Sequence, residues 1–421
     1  MSLALLSRTG ASLAATVADD PVSISLLAGG NDPASIKLTT DLANSFMKAN
    51  PSVKVKVETR PGGTDGDNLI KTRLATKTMN DVFFYNSGSL LQALQPDNQL
   101  VDQSDQPWAK LVTPDFRKAV GTSKGLYGAP IGSTFNGGIM YNKKVYAKLG
   151  LSVPKTWAAF ISNSQKIKAA GIIPVLVSYG DTWTSQLFVL ADFANVTAQV
   201  PDWSAKYTAN KAKYANPPAL AGFAHTEEIY KKQLMNRDFA SLTNVNALKL
   251  LATGQAAHYP MITAVIGNVV QSNPGQVNDI GYFAVPSDAG TPHATVWEAS
   301  GAYIPKSTTG AKLAAAEKLV AFLNSPAGCE IQNSAGTVAG PYAISSCKVP
   351  SGAPALVADE LKYQEARQTG LALEFLSPIK GPNLEKILVQ VGSGISSTKV
   401  GADLYDQDVT QQAQQLGLPG W

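Results

Sequence analysis

Polar and aromatic side chains follow several predicted strands, at the point where each strand gives way to a turn. Amide and carboxylate groups can hydrogen-bond hydroxyl groups, and aromatic rings can pack against apolar faces. Because ligands of open α/β sheets bind beyond the carboxyl ends of the strands, these turns are where we look for a site. The residues concerned are Asn31, Asp32, Asn86, Ser87, Asp181, Trp183, Trp297, Glu298 and Tyr342.

Structural roles compete with ligand binding at several of these positions. Asp32 precedes a proline and could simply cap a helix, and Asn86 with Ser87 could form a cap as well. Trp183 could belong to the core. Glu298 is harder to explain structurally, because a buried carboxylate in an apolar strand needs a partner. For Glu298 we therefore expect a ligand contact.

The catalytic patterns in the sequence are incomplete. Gly121–Gly125 matches G-x-S-x-G, but no strand precedes the serine, so we interpret the segment as a turn and not as a nucleophile elbow. The histidines are far apart and predict no metal site. The main enzymatic alternative is a secreted glycoside hydrolase with Asp181 and Glu298 as paired carboxylates, although nothing in the sequence fixes their separation.

Cys329 and Cys347 are the only cysteines of the chain. Such a pair can be two buried thiols, a disulfide or half of a metal site, and its spacing fits no C-x-x-C pattern. The intervening glycines and proline would let the loop fold back, so we expect a disulfide. It would add about 3 kcal/mol of stability and indicate an oxidising compartment.

Alternating strands and helices open the chain. Val22–Ala28, Val53–Val57 and Asp81–Tyr85 have the apolar patterns of strands. A capped helix and a short helix over Leu69–Leu74 connect them, with Gly62–Asp67 as a loop. This βαβαβ order predicts a parallel sheet with helices on its faces.

A second α/β unit follows, and the chain then becomes mainly helical. Helix Trp157–Ala170 leads into strand Ile172–Ser178, and Gly222–Gly254 is predicted to be mostly helical. Val296–Ile304 is extended. Further helices are predicted over residues 310–324, 355–369, 384–391 and 403–416.

Length and composition exclude several classes of protein. The 421 residues suggest two or three domains, and a net charge of +4 is too small to indicate a nucleic-acid partner. Residues 250–278 carry no charge, but prolines and polar residues interrupt them, so they do not predict a membrane span. Residues 1–20 lack a complete secretory signal, and we expect 1–19 to be a flexible segment.

A series of short motifs runs along about 400 residues. These are the turn at Gly29-Gly30 before a capped helix, the helix and strand over Leu69–Ser87, Gly125–Pro130, Met140–Tyr146, Leu149–Trp157, Leu251–Ala257 and Leu319–Ser325. In this order they resemble the family 1 extracellular solute-binding proteins, the maltose-binding-protein-like receptors of ABC importers.

The resemblance implies an α/β fold of two lobes, the type II fold of periplasmic binding proteins. Its parallel-sheet lobes carry helices on both faces, and hinge crossovers join them. Placed on this sequence, residues 20–133 and 299–330 would form the first lobe, and 134–298 and 331–421 the second. A ligand would lie in the cleft between them, and the lobes would close by hinge bending.

The resemblance also implies a function without catalysis, cofactor or metal. A monomer would capture a mono- or oligosaccharide outside the cell or in the periplasm and deliver it to the permease subunits of an ABC transporter. Members from Gram-positive cells are often lipoproteins. The lipid-accepting cysteine that they need is absent from this chain, so the mode of tethering stays open.

Specific residues enter through the resemblance. The turns holding Asn31, Asn86, Asp181 and Trp297 fall where the family places ligand contacts. Tyr259 and Met261 are added as candidates, although members often have a tryptophan a few residues later, where this chain has none.

Overall fold

The structure, a computed structural model, describes residues 21–335 and 338–421. The segment 1–19, which we predicted to be flexible, lies outside the described residues. The strands are β1 (Val22–Leu27), β2 (Val53–Glu58), β3 (Val82–Tyr85), β4 (Gly128–Ile131), β5 (Phe135–Asn142), β6 (Ile173–Val175), β7 (Ala256–Ile262), β8 (Ile280–Phe283), β9 (Ala294–Trp297), β10 (Ser300–Tyr303) and β11 (Thr369–Leu371).

Helices surround these strands. In the first half of the chain they are α1 (Pro33–Ala49), α2 (Gly63–Ala75), α3 (Ser89–Gln92), α4 (Pro96–Gln99), α5 (Pro114–Val120), α6 (Lys143–Lys148), α7 (Trp157–Ala169), α8 (Leu187–Leu190), α9 (Phe193–Gln199) and α10 (Trp203–Thr208). The later ones are α11 (Ala221–Lys231), α12 (Asn244–Ala252), α13 (Ile266–Ser272), α14 (Gly310–Leu323), α15 (Pro326–Ser334), α16 (Ala355–Glu365), α17 (Leu384–Gly392) and α18 (Thr398–Gln415). Short 3-10 turns connect some of them, including Thr182–Gln186.

The first sheet has the strand order β2-β1-β3-β10-β4. As predicted, β1, β2 and β3 run parallel, because α1 and α2 return the chain to the same edge. β10 enters late in the sequence and runs antiparallel to β3 and β4. This sheet is therefore mixed, whereas the resemblance implied parallel sheets.

The second sheet has the order β11-β9-β5-β7-β6, with β8 also paired to β5. Its central strand β5 is antiparallel to β7, β8 and β9, and only the β6–β7 and β11–β9 pairs are parallel. The segment Val296–Ile304, predicted to be extended, contributes to two strands that belong to different sheets, and the chain crosses between them at Glu298 and Ala299.

Each sheet has its own apolar core. Leu26, Phe46, Phe83 and Leu319 lie in the core of the first sheet, where α1 and α14 pack against the strands. Around the second sheet the buried side chains form separate clusters on its two faces, and a third cluster beneath α9 and α18. The molecule is thus two α/β lobes joined by crossing segments.

The predicted disulfide is confirmed. Cys329 of α15 is bonded to Cys347, and both sulfurs are buried in the core of the first sheet. The bond fixes the segment that follows α15 to this core. Within the loop that the disulfide closes, the backbone N–H groups of Ala339 and Gly340 donate to the Ser133 hydroxyl, close to the crossing from β4 to β5.

One helix prediction and one loop prediction need correction. Gly222–Gly254 is interrupted between α11 and α12, where Met235 forms a bridge to Val175 at the edge of the second sheet. Gly62–Asp67 is not a loop throughout, because α2 begins at Gly63. Glycines normally predict a break, and here a carboxylate from the other lobe completes the helix start, as described below.

Candidate functional site

A cleft of about 530 Å³ lies between the two lobes. Three strands of the first sheet end at it, and the turns after β1, β2 and β3 supply Asn31, Arg60 and Asn86. The opposite wall comes from the 3-10 turn Thr182–Gln186, from the start of α12 and from residues 374–385. The location beyond the strand ends is the one expected for an open α/β sheet.

The structure brings six of the eleven predicted binding residues together in this cleft. Asn31 and Asn86 are exposed there, and Asp181 and Trp183 are half-buried. The six that line the cleft are Asn31, Asp32, Asn86, Asp181, Trp183 and Trp297. Asp32 also caps α1 by accepting the backbone N–H groups of Ala34 and Ser35, so the structural role considered for it is present as well.

Ser87, Tyr259 and Met261 do not line the cleft. The Ser87 hydroxyl donates to the carbonyl of Ala299 at 2.8 Å and is buried. Tyr259 and Met261 lie in the core of the second lobe, where the Tyr259 hydroxyl is within 2.6 Å of the Ser178 hydroxyl. Strand β7 continues to Ile262, and that residue reaches the cleft instead.

Tyr342 and Glu298 also lie outside the cleft lining. Tyr342 packs in the first core, and its hydroxyl donates to Asn333 Oδ1 at 2.9 Å. Glu298 is buried in the crossing between β9 and β10, and its Oε2 has no hydrogen-bond partner among the described residues. Burial, followed by the charge of Asp115, raises the pKa of Glu298 to about 7.

A pair of parallel aromatic rings forms one side of the cleft. Phe135 and Trp297 lie with their planes 4° apart and their centroids 6.1 Å apart. They come together because β5 and β9 pair in register at these two residues. The sequence analysis did not select Phe135. The sequence feature that could have identified it is its position as the first residue of β5, directly after the chain crosses from β4.

A buried arginine lies at the first-lobe side of the cleft. Arg60 places its guanidinium 5.5 Å from the ring centre of Tyr85 and donates to the carbonyl of Pro61. Burial lowers the pKa of Arg60, and the nearby Asp67 carboxylate partly opposes this effect. The positive charge of Arg60 is therefore accompanied, inside the protein, by the Asp67 carboxylate and the ring of Tyr85.

The second lobe supplies a comparable pair from a Pro- and Gly-rich segment. Lys380 lies 3.9 Å from the Glu374 carboxylate. Burial raises the pKa of Glu374, while Lys380 and a hydrogen bond from the Trp297 side chain lower it. Glu374 thus connects this loop to the Trp297 ring. Sequence reasoning missed both residues, because the short strand β11 that precedes them was not predicted.

The described residues hold no cluster of side chains suited to binding a metal ion. Across residues 21–335 and 338–421, no group of three metal-ligating side chains is placed to hold an ion. The Gly121–Gly125 segment is a turn, as predicted, closed by a hydrogen bond from Thr122 N–H to the Gly125 carbonyl. Asp181 lines the cleft and Glu298 does not, so the two carboxylates considered for a hydrolase do not share one site.

The sequence profile described as "Bacterial extracellular solute-binding protein" matches residues 31–328. This range is most of the chain and contains the crossings from β4 to β5 and from β9 to β10, whereas the cleft residues 374–385 lie beyond it. The protein belongs to this family. The family consists of solute-binding proteins and is not an enzyme family.

Curated and solved relatives agree with this assignment. The "Multiple sugar-binding protein" of Streptococcus mutans serotype c (strain ATCC 700610 / UA159) is 24% identical over 144 residues, which is 34% of this chain and 33% of the relative. The match thus spans about a third of the length of that relative.

Solved structures share the fold over nearly the whole chain. A chitin oligosaccharide binding protein matches with a TM-score of 0.80 and 19% identity, covering 94% of this chain and 100% of its own. A sugar transporter protein from Bacillus licheniformis in complex with stachyose matches with a TM-score of 0.72 and 15% identity, covering 93% and 100%. At these identities the likeness establishes the two-lobe type II fold.

The family is named for its extracellular location, which indicates that its members are exported. Among the helices described here, none has the length and apolar character needed to cross a bilayer.

Proposed function

We propose that this solute-binding protein captures a neutral mono- or oligosaccharide in the cleft and delivers it to the permease of an ABC importer. The observation that carries the proposal is the combination of the parallel Phe135 and Trp297 rings with amide and carboxylate groups from both lobes. Aromatic rings fit the C–H faces of a sugar, and the polar groups fit its hydroxyls.

The size of the cleft favours an oligosaccharide. A volume of about 530 Å³ lies well inside the range of roughly 300–1,000 Å³ that is typical of small-molecule sites. Of the similar structures, one is named as a chitin oligosaccharide binding protein and another is a sugar transporter in complex with stachyose. A monosaccharide would leave much of the cleft filled with water.

The charges around the cleft favour a neutral ligand. Carboxylates outnumber cations among the lining residues, with Asp32, Asp67, Asp181, Glu374 and Glu385 against Arg60, Lys71 and Lys380. Arg60 and Lys380 already stand beside carboxylates, so little positive charge is left to bind an anion. An acidic sugar would meet net repulsion.

The remaining parts of the proposal concern role and location. The protein acts as a monomer, without a cofactor, metal or nucleic-acid partner, and breaks no bond. It works outside the cell or in the periplasm, and the Cys329–Cys347 disulfide suits an oxidising compartment. The native precursor is tethered to the membrane or is released; mass spectrometry of the natively exported protein distinguishes these two forms.

A thermal-shift panel tests the sugar ligand. Purified protein is heated with galactose, raffinose, stachyose and chitin oligosaccharides, and with amino acids, peptides and uronic acids as comparison ligands. A ligand at 100 times its dissociation constant should add ~2.7 kcal/mol to the free energy of unfolding. Stabilisation only by amino acids or peptides would refute the sugar ligand. Release of reducing ends during incubation would favour a hydrolase instead.

A tryptophan substitution tests the location of the site. Trp183→Ala should weaken binding of the sugar found in the panel about tenfold or more, because it removes an aromatic contact from the cleft wall. Titration calorimetry measures the change. Trp421→Ala is the matched control, since Trp421 is also half-buried but packs against Lys213 outside the cleft. Equal affinities for the two variants would place the ligand elsewhere.

A further inference from the structure

Two helices of the first lobe begin at the cleft, and side chains of the second lobe reach both helix starts. The first backbone N–H groups of a helix have no partner inside the helix, and the helix dipole favours an acceptor or a negative charge there. Such caps normally come from the residue just before the helix. Here α1 and α2 receive acceptors from the opposite lobe.

The start of α2 lacks a cap of its own. Its preceding residue is Gly62, which has no side chain to offer. The Thr64 backbone N–H instead donates to Glu385 Oε1 at 3.4 Å, and the Thr64 hydroxyl donates to the carbonyl of Pro382. Glu385 belongs to α17 in the second lobe, where the Thr182 hydroxyl also donates to Oε1. This carboxylate is only 5% exposed.

Glycine at the start of α2 allows this close approach. A Cβ atom at Gly63 would lie 2.9 Å from Glu385 Oε2 and 3.3 Å from the Trp183 Cβ atom. The φ angle of Gly63 is 63°, a backbone conformation that residues with a side chain rarely adopt. The backbone of the first lobe therefore rests directly on the second lobe at this point.

The start of α1 has a cap from each lobe. The Ala34 backbone N–H lies 3.2 Å from Asp32 Oδ1 and also 3.2 Å from Asn268 Oδ1. Asn268 is buried, lies on α13 and is flanked by the second-lobe core residues Ile266 and Val269. It does not line the cleft, so its contact with α1 is separate from any ligand contact.

We propose that Glu385 and Asn268 are positioning residues that hold the lobes together by capping helices across the cleft. Opening of the lobes would break both caps and return their donors and acceptors to water. Because both contacts join the two lobes, an opening that separates them removes the contacts, and the contacts therefore shift the equilibrium between open and closed forms toward closure. Ligand affinity then rises with the fraction of closed protein, without any additional ligand contact.

Small-angle X-ray scattering of the ligand-free protein tests this inference, because it measures closure without a sugar. Glu385→Ala and Asn268→Ala should each increase the radius of gyration relative to wild type. Glu385→Gln and Asn268→Asp keep an acceptor oxygen and should keep the wild-type value. Rescue by these conservative variants separates capping from a general loss of packing.

Ser397→Ala is the matched control. Ser397 caps α18 within the second lobe by accepting the Val400 N–H, so its loss should lower the melting temperature and leave the radius of gyration unchanged. The inference is overturned if both alanine variants melt cooperatively and keep the wild-type radius of gyration. It is also overturned if the conservative variants have a larger radius of gyration than wild type. If one alanine variant does not fold, the other decides. A failed sugar panel would leave this result intact.

Discussion

At the scale of single residues, Glu298 combines burial with an incomplete set of hydrogen bonds. It lies where the chain crosses between the lobes, and its Oε2 has no partner in the described part of the chain. The pKa of about 7 means that the folded protein holds a proton on Glu298 under mildly acidic conditions. An unfolded chain would release that proton near the ordinary value of 4.5.

The pH dependence of stability follows from this difference. Between about pH 4.5 and 7 the folded state binds more protons than the unfolded state, so the Glu298 contribution to stability is lost as pH rises. Glu298→Gln cannot ionise and avoids this loss. We expect the variant to match wild type near pH 4.5 and to be more stable by roughly 3 kcal/mol above pH 8.

Urea unfolding from pH 4.5 to 8.5 measures the effect. Glu365→Gln removes an exposed carboxylate on α16, and its free energy of unfolding should change with pH as that of wild type does. If the free energy of unfolding of Glu298→Gln also changes with pH as that of wild type does, the Glu298 carboxylate is solvated and the explanation by burial is wrong.

The residues that sequence reasoning found and missed differ in how they reach the cleft. Asn31 and Asn86 come within four residues of the ends of buried strands, and Asp181 follows the predicted strand Ile172–Ser178, so their positions are visible in the sequence. Arg60 also follows a predicted strand but was not selected, and Glu374 follows the short strand β11, which was not predicted. Tyr259 was predicted to contact the ligand but is buried in the core. Side chains alternate along β7, and the strand continues to Ile262, so Tyr259 faces the core.

At the scale of elements, local signals predicted most of the longer helices, and several short helices were not predicted. Asp32 before a proline marked the start of α1 correctly. The glycines before Leu69 predicted a loop, yet α2 begins at Gly63 beside a carboxylate from residue 385. A contact across more than 300 residues leaves no trace in the local sequence. The local pattern also does not show the crossing from β9 to β10, since an extended segment looks alike in one sheet or two; only the resemblance implied a lobe boundary between residues 298 and 299.

The disulfide gives a prediction for one element. Cys329→Ser combined with Cys347→Ser should lower the free energy of unfolding by about 3 kcal/mol, because the unfolded chain regains the freedom of the closed loop. Urea unfolding of the double variant, compared with wild type in the presence of dithiothreitol, measures the change. The reduced wild type should behave like the variant. A loss confined to the variant would show that the serines, and not the missing bond, destabilise the core.

At the scale of the whole molecule, each lobe carries its own core. The lobe boundaries given by the sequence remain a prediction, and we propose one change. Val338, Ile344 and Cys347 pack in the first core, whereas Leu356 and Val357 pack in the second. The last crossing would then lie between residues 347 and 356, later than the predicted boundary at 330.

Separate cores predict separate unfolding. The lobes meet through crossing segments and cleft contacts, so in the ligand-free protein we expect heat to unfold them in two overlapping transitions. Differential scanning calorimetry should give a van't Hoff enthalpy below the calorimetric enthalpy. The Cys329→Ser and Cys347→Ser double variant should lower only one transition, because its disulfide lies in the first core alone. A single transition with equal enthalpies, moved as a whole by this variant, would mean that the two lobes fold as one cooperative unit.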